Sequence, residues 1–192
     1  GVRGLHRHGR SDRDGMVAGE GAGAIVLESR AHAESRGAKI LARVLGFGNT
    51  FARPRRGETS PDATRRAMEV ALRDGGLASS EVGFVSASGL STVEHDRAEA
   101  AAIAALLGDV AVTAPKSQFG NLGASTGAVE LAAAVLALTE RSIPATINYD
   151  TPDPACPIRV VHGKSAPLAK SAALVLSQSP HGQSVAMLIA GR

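Results

Sequence analysis

Residues 114–130 read APKSQFGNLGASTGAVE, so a lysine, a turn of small residues and an alanine-rich segment follow one another closely. The apolar character continues to residue 138, and the pattern predicts a long helix over about residues 123–140 that is hydrophobic on nearly every side. A helix of this kind is expected between two sheets rather than at a surface. The stretch therefore indicates a layered α/β fold, with Lys116 shortly before a buried helix.

The rest of the chain alternates strand and helix patterns. The sequence predicts strands over residues 22–28, 40–47, 82–85, 110–113, 158–161, 171–176 and 185–189, and helices over residues 30–36, 97–107 and from Pro61 onward with Ser60 as the cap. The last two strands are expected to be antiparallel neighbours joined by the polar loop 177–184. No linker divides the chain, so we expect one domain over residues 15–192 after a basic segment, residues 1–14.

Composition narrows the class of protein further. Of the 192 residues, 44% are hydrophobic and only 3% aromatic, which favours thin, closely packed layers over a core of large rings. The single cysteine, Cys156, excludes an intrachain disulfide and is expected to be an inert small residue, and no Cys/His cluster has zinc-ligand spacing. No apolar run approaches the roughly 20 residues that span a bilayer, so a cytoplasmic protein is expected.

Two groups of basic residues stand out against a net charge of only +3. They are Arg3, His6, Arg7, His8, Arg10 and Arg13 near the start, and Arg53, Arg55 and Arg56 further on. Such clusters attract acidic partners, and the scarcity of aromatic residues for base stacking disfavours nucleic acid. An acidic protein is the better candidate.

Three runs in order carry a family resemblance. They are DRDGMVAGEGAG at residues 12–23, SASGLST at residues 86–92 followed by Asp96 and Glu99, and the run at residues 114–130. Together they resemble the C-terminal half of β-ketoacyl-acyl carrier protein synthases, the ketosynthases of the thiolase superfamily. The resemblance runs from about Arg10 to the C-terminus. It implies half of a thiolase-like α-β-α-β-α layered fold, a mixed sheet with helices on its faces, which packs against a similar half.

The resemblance implies decarboxylative condensation of an acyl thioester with malonyl-acyl carrier protein, in fatty acid or polyketide biosynthesis. That reaction needs a nucleophilic cysteine from the N-terminal half and two histidines from this half. Here Ser88 and Asn121 occupy the two histidine positions. Both side chains can donate hydrogen bonds, but neither can become a cation as an imidazole can. Condensation by this chain is therefore expected to be impaired or lost.

At the other functional positions that the resemblance implies, some of the family's residues are present and others are replaced. Lys116 matches the lysine that supports the active-site histidine, and Asp96 and Glu99 match the acidic side of its ion-pair network. Thr92 matches the second of two threonines that hold the phosphopantetheine arm of the carrier protein, whereas Leu90 replaces the first. The arm is expected as a substrate carrier, with no bound cofactor and no metal.

A glycine-rich loop that gates the acyl pocket in the family corresponds to residues 180–185 here. Gly182 persists, and His181 stands where the family has a gating phenylalanine. Because a polar residue occupies the gate, the family's selection of acyl chains does not transfer to this sequence.

Three functions follow from the resemblance. The first is the C-terminal domain of a β-ketoacyl-acyl carrier protein synthase, completed by an N-terminal half and working with acyl carrier protein in a dimeric assembly. The second is a non-catalytic partner that resembles the chain-length factor of polyketide synthases, favoured by the missing histidines and by the run DRAEA at residues 96–100. The third is a truncated remnant without a function of its own.

Overall fold

A mixed six-stranded sheet forms the middle layer of the computed structural model, which describes residues 12–52, 61–179 and 181–191. The helices are α1 Arg30–Ser35, α2 Pro61–Asp74, α3 Val93–Leu107, α4 Lys116–Phe119 and α5 Thr126–Thr139, with 3-10 turns at Ser79–Glu81 and Gly123–Ser125. The strands are β1 Ala42–Phe51, β2 Val82–Ser86, β3 Ala111–Thr113, β4 Ser142–Ile143, β5 Arg159–Val160, β6 Ala166–Pro167, β7 Ala172–Gln178 and β8 Gln183–Gly191.

The strand order in the large sheet is β1-β8-β7-β2-β3-β5. Strand β8 is antiparallel to both β1 and β7, whereas β2 is parallel to β7 and β3, and β3 is parallel to β5. The predicted antiparallel pair at the C-terminus is thus confirmed. Its pairing extends to Gln178 opposite Ser184, so the connection is a tighter turn than the predicted loop.

Two apolar clusters lie on opposite faces of this sheet. Met68 of α2 and Ile103 of α3 pack with Leu174 and Leu188 on one face. On the other face, α5 packs its buried residues Ala134, Ala137 and Leu138 against Phe84, Ala173 and Ile189. Successive residues of β7 and β8 alternate between the clusters, as the geometry of a strand requires. The helix-sheet-helix layering confirms the predicted α/β class.

Two glycines of β1 let its backbone pack directly against the backbone of α2. A Cβ atom on Gly46 would lie 2.1 Å from the Ala71 carbonyl oxygen, and one on Gly48 would lie 2.0 Å from that of Ala67. No real side chain tolerates such distances, so the edge strand can pack on this helix only because both positions lack a side chain.

The strand predicted over residues 22–28 is wrong. These residues belong to no strand, and Val26 and Leu27 are 80% and 71% exposed. The β-branched pattern is present, but no strand among the described residues pairs with the segment, and unpaired strands are not stable in water. Helix α5 shows a related departure, because only one side of it is covered and Leu136 is 61% exposed.

Other boundaries moved less. Helix α3 begins at Val93 rather than residue 97, with Glu94 and Asp96 in its first turn, where acidic groups favour a helix start. Helix α4 and the small antiparallel sheet of β4 and β6 were not predicted. Apart from Arg13, the basic clusters lie outside the described residues, as does Ser60. Within the described ranges, none of the helices is long and apolar enough to cross a bilayer.

Candidate functional site

The candidate site lies where β2 and β3 end side by side. The two strands are parallel, with Ser86 paired to Thr113, so the loops that follow them leave the same edge of the sheet. The loop after β2 contains Ser88 and Thr92, and the segment after β3 contains α4 and Asn121. Ligand sites in open α/β sheets are found at the carboxyl ends of parallel strands.

Lys116 joins the two loops from the start of α4. Its ammonium donates to the Ser88 carbonyl oxygen at 2.5 Å and to Glu130 Oε1 at 2.6 Å. The Lys116 and Glu130 side chains are 4% and 0% exposed. Lys116 therefore has the buried ion pair that the resemblance implied, but its partner is Glu130, a residue to which the sequence analysis assigned no role.

The two acidic residues that were expected beside Lys116 hold the β2 loop instead. Both oxygens of Glu99 accept backbone N–H groups, from Ser88 at 2.8 Å and from Gly89 at 2.9 Å. Asp96 Oδ1 accepts the Ser91 N–H at 3.1 Å. The structure places Asp96 and Glu99 on backbone donors of the β2 loop, and Glu99 is linked to Lys116 through Ser88, whose N–H donates to Glu99 and whose carbonyl oxygen accepts from Lys116.

Ser88, at the first histidine position, is a structural tether. It is 1% exposed, and its hydroxyl oxygen accepts the Gln178 N–H at 3.1 Å. The contact ties the β2 loop to the end of β7. The hydroxyl is thus used inside the protein and does not face an open pocket.

Asn121, at the second histidine position, is also used internally. Its Oδ1 accepts the Gly123 N–H at 3.0 Å and the Thr126 hydroxyl at 3.1 Å, which fixes the turn before α5. Its Nδ2 donates to Met16 Sδ at 3.1 Å, and thioether sulfur is a weak acceptor. No hydrogen bond joins Asn121 to Ser88, although the chain through α4 links their loops.

The two residues expected to bind substrate lie on different elements. Thr92 precedes α3, and its hydroxyl is 2.9 Å from His95 Nδ1, while Leu90 beside it is buried. His181 and Gly182 form the exposed turn between β7 and β8, where Gly182 has a φ of +97° that favours glycine. Residues of this turn line an open groove of about 450 Å³ with the end of β1, formed by Asn49, Thr50, Phe51, Ser179, His181 and Gln183.

Arg13 is a buried residue that sequence reasoning missed. Its side chain is fully buried, with Nη1 2.9 Å from Asp153 Oδ2 and Nε 3.3 Å from Asp96 Oδ2. Its Nη2 also donates to the Val93 carbonyl oxygen at 3.0 Å. Arg13 belongs to the first basic cluster of the sequence, which was expected to attract an acidic partner. The available signal was its place in the 12–23 motif, where Asp12 and Asp14 flank it.

Opposing effects set the pKa values beside Arg13. Burial alone would raise the pKa of Asp153, but hydrogen bonds from the Ala155 N–H, Arg97 and Arg13 outweigh it and lower the pKa to about 2. For Cys156, burial dominates and raises the pKa of the thiol to about 11. Asp153 is therefore a stable anion near neutral pH, whereas Cys156 stays a protonated thiol, in keeping with the inert residue that the sequence predicts.

Comparison with known proteins decides the family. The family described as "Beta-ketoacyl synthase, C-terminal domain" matches residues 41–150. The chain belongs to this family. Among curated relatives, the 3-oxoacyl-[acyl-carrier-protein] synthase 2 of Synechocystis sp. is 37% identical over 182 residues, which is 92% of this chain and 44% of the relative. The chain thus spans less than half the length of this relative.

Solved ketosynthase structures share the fold. The ishigamide ketosynthase/chain length factor is 33% identical and superposes with a TM-score of 0.93 over 100% of this chain and 48% of its own. A type II polyketide synthase acyl-carrier protein in complex with its ketosynthase bound to the hexaketide gives 30% identity and a TM-score of 0.92, over 98% of this chain and 48% of that one. These similarities confirm the C-terminal ketosynthase half and the thiolase-like fold.

The chemistry that the described site can offer follows from the side chains at positions 88, 116 and 121. Lys116, Glu130 and Glu99 form a buried framework around the β2 loop, but the groups at positions 88 and 121 have no titratable proton near neutral pH. The arrangement can therefore hold loops and offer an amide donor.

Proposed function

We propose that this chain is the C-terminal half of a ketosynthase-family subunit that assists acyl-chain building on acyl carrier protein without carrying out decarboxylative condensation itself. The observation that carries the proposal is the internal use of both substituted side chains. The Ser88 hydroxyl holds the Gln178 N–H, and Asn121 Oδ1 holds Gly123 and Thr126. Ser88 is 1% exposed, and Asn121 keeps as a side-chain donor only its Nδ2 group, which contacts Met16 Sδ.

The electrostatics of the reaction support this proposal. Loss of CO2 from a malonyl thioester places negative charge on the thioester oxygen, and donors preorganised at that oxygen supply most of the stabilisation. Removing one such donor costs about 100-fold to 1000-fold in rate. Because Ser88 is only 1% exposed, its hydroxyl is not presented to a substrate in the way that the family's first histidine is, and no cation can form at either position.

The described residues also hold no candidate for the acyl nucleophile. Cys156 is 4% exposed and its pKa is raised to about 11 by burial, so little thiolate exists at neutral pH. A reactive cysteine would have to come from outside this chain. A role beside a catalytic ketosynthase, like that of a chain-length factor, accommodates this requirement, and one similar structure, 33% identical, is described as a ketosynthase/chain length factor. Acyl carrier protein and a catalytic ketosynthase are the proposed partners, in a dimeric assembly.

A second function keeps some condensing activity. The Nδ2 group of Asn121 donates to the weak acceptor Met16 Sδ, so it retains capacity to polarise a thioester carbonyl. Under this alternative, the subunit would condense slowly by itself once a cysteine is supplied by an N-terminal half.

Reconstitution separates the two functions. The protein that carries this chain is incubated with acyl- and malonyl-carrier protein, alone and with a ketosynthase that has both cysteine and histidines, and the products are measured by mass spectrometry. The proposal predicts no product from the protein alone, and a product of altered length when the catalytic subunit is added. Extended product from the protein alone, or an unaltered product distribution from the mixture, would contradict it.

A further inference from the structure

Residues 12–21, here called the strap, form backbone hydrogen bonds to both site loops. The Gly15 N–H donates to the Ser91 carbonyl oxygen at 3.0 Å, which connects the strap to the β2 loop. The Asn121 N–H donates to the Val17 carbonyl oxygen at 2.7 Å, and the Gly19 N–H donates to the Asn121 carbonyl oxygen at 2.9 Å. The strap thus bridges the two loops that carry positions 88 and 121.

The strap packs directly against the backbone of the segment that follows β3, with no room for a side chain at two of its glycines. A Cβ atom on Gly19 would lie 2.1 Å from the Phe119 carbonyl oxygen, and one on Gly21 would lie 2.9 Å from the Leu122 side chain. Asp14, Met16, Ala18 and Glu20 are nevertheless exposed. The strap therefore has little apolar burial of its own, and something else must hold it in place.

Arg13 supplies that attachment. Its guanidinium is fully buried and contacts Asp96 at the start of α3, Asp153 in the loop after β4 and the Val93 carbonyl oxygen. A buried guanidinium is tolerated only when its donors are matched by charge and hydrogen bonds. If the strap lifted, Asp96 and Asp153 would both lose this buried partner, so the ion cluster opposes lifting.

We propose that Arg13 is a positioning residue, whose buried contacts with Asp96 and Asp153 hold the strap against the two site loops. The Asp96 carboxylate takes part twice, because Oδ1 accepts the Ser91 N–H while Oδ2 faces Arg13. The cluster therefore fixes the strap and the β2 loop together. Any effect of the strap on substrate binding rests on the proposed function, whereas the role of Arg13 in holding the strap does not.

Residue-resolved amide exchange by NMR tests this role in the whole protein. The amides of Gly15, Gly19 and Asn121 are protected by the strap's own hydrogen bonds, whereas the amides of Leu174 and Leu188 report on the central sheet. In Arg13→Gln we expect exchange at least tenfold faster at the three strap amides, and the amides of Leu174 and Leu188, which exchange through global unfolding, should speed up by at most the same factor.

Two further variants separate anchoring from general stability. Arg97→Gln removes another guanidinium contact to Asp153 at 3.1 Å, but from a side chain that is 50% exposed, and should leave strap exchange within twofold of the unaltered protein. Gly19→Ala should lift the strap while Arg13 is intact, and should reproduce the fast exchange at Gly15 and Asn121. If Arg13→Gln does not fold, the Arg13→Gln/Asp96→Asn pair removes one charge of each sign, and the same pattern is expected.

Unchanged exchange at the three strap amides in the Arg13 variants would overturn the proposal. So would faster exchange at Leu174 and Leu188 without a rise at the strap amides, because Arg13 would then stabilise the fold without holding the strap. The exchange measurement involves no carrier protein and no ketosynthase. A negative exchange result would therefore not contradict the proposed function. A negative reconstitution result would not contradict the role of Arg13 in holding the strap.

Discussion

Lys116 Nζ lies 2.6 Å from Glu130 Oε1, and the two side chains are 4% and 0% exposed. The same ammonium donates to the Ser88 carbonyl oxygen, so this one pair connects α5, α4 and the β2 loop. The pair therefore lies beside Ser88, one of the two positions at which the resemblance implies a histidine in the family. It therefore works as a framework for the domain, and its contribution can be measured as stability.

Lys116→Met should destabilise the domain strongly, because it leaves the Glu130 carboxylate buried without its cation. Breaking one side of a buried pair costs about 3 to 5 kcal/mol, measured as the free energy of unfolding in urea. The double variant Lys116→Met/Glu130→Gln should recover much of this loss. As a control, Arg30→Ala breaks an ion pair whose side chains are 72% and 55% exposed, and should leave the free energy of unfolding nearly unchanged. If Lys116→Met and Arg30→Ala lowered the free energy of unfolding equally, the Lys116–Glu130 pair would not be a buried framework.

Gly48→Ala should separate β1 from α2. The added Cβ would lie 2.0 Å from the Ala67 carbonyl oxygen, and relieving the clash requires backbone movement. Overpacking of this kind costs about 1 to 3 kcal/mol or more. Gly127→Ala is the matched control, since a Cβ there meets nothing within 4 Å and alanine favours a helix over glycine by up to about 1 kcal/mol. Thermal unfolding should show opposite shifts, and a neutral Gly48→Ala would refute the close approach.

Acid should weaken the domain through Asp153. The folded-state pKa of Asp153, about 2, lies below the ordinary value of 3.8, so the carboxylate contributes stability above about pH 4 and loses it as the pH falls toward 2. Asp153→Asn should remove this part of the acid dependence, as measured by urea unfolding between pH 5 and 2. An unchanged slope over that interval would show that Asp153 is not preferentially ionised in the fold.

Cys156 should resist alkylation in the folded protein. With its pKa at about 11, the thiolate fraction at pH 8 is about 200-fold smaller than for an ordinary cysteine, and burial slows access further. Iodoacetamide labelling followed by mass spectrometry should be slow without urea and rapid in denaturing urea. Rapid labelling of the folded protein would contradict both the burial and the raised pKa.

The sequence predicted most of the fold because each layer has its own local pattern. Helix α2 begins at Pro61 as expected, α1 and α3 end at the expected glycines, and β7 and β8 pair as expected. The segment 22–28 failed because strand formation depends on a partner strand, which a local pattern cannot supply. Such a partner could come only from outside the described residues.

The candidate site was predictable only as far as single positions. Lys116, Ser88 and Asn121 follow from the order of the motifs, but Glu130 and Arg13 became site residues only through contacts between distant segments. A signal for Glu130 existed, because a lone glutamate in an otherwise apolar helix has to be paired if it is buried. Arg13 had a weaker signal, since nearby basic residues made an exposed cluster the simpler prediction.

The most direct test of the central claim is release of labelled CO2 from malonyl-carrier protein by the protein that carries this chain. Three samples are compared: the unaltered protein, its Ser88→His/Asn121→His variant, and the Synechocystis relative that is 37% identical to this chain. The account predicts release from the relative and none above background from the unaltered protein, with any gain confined to the two-histidine variant. Release by the unaltered protein at a rate within tenfold of the relative would contradict the claim that positions 88 and 121 have lost the chemistry of condensation.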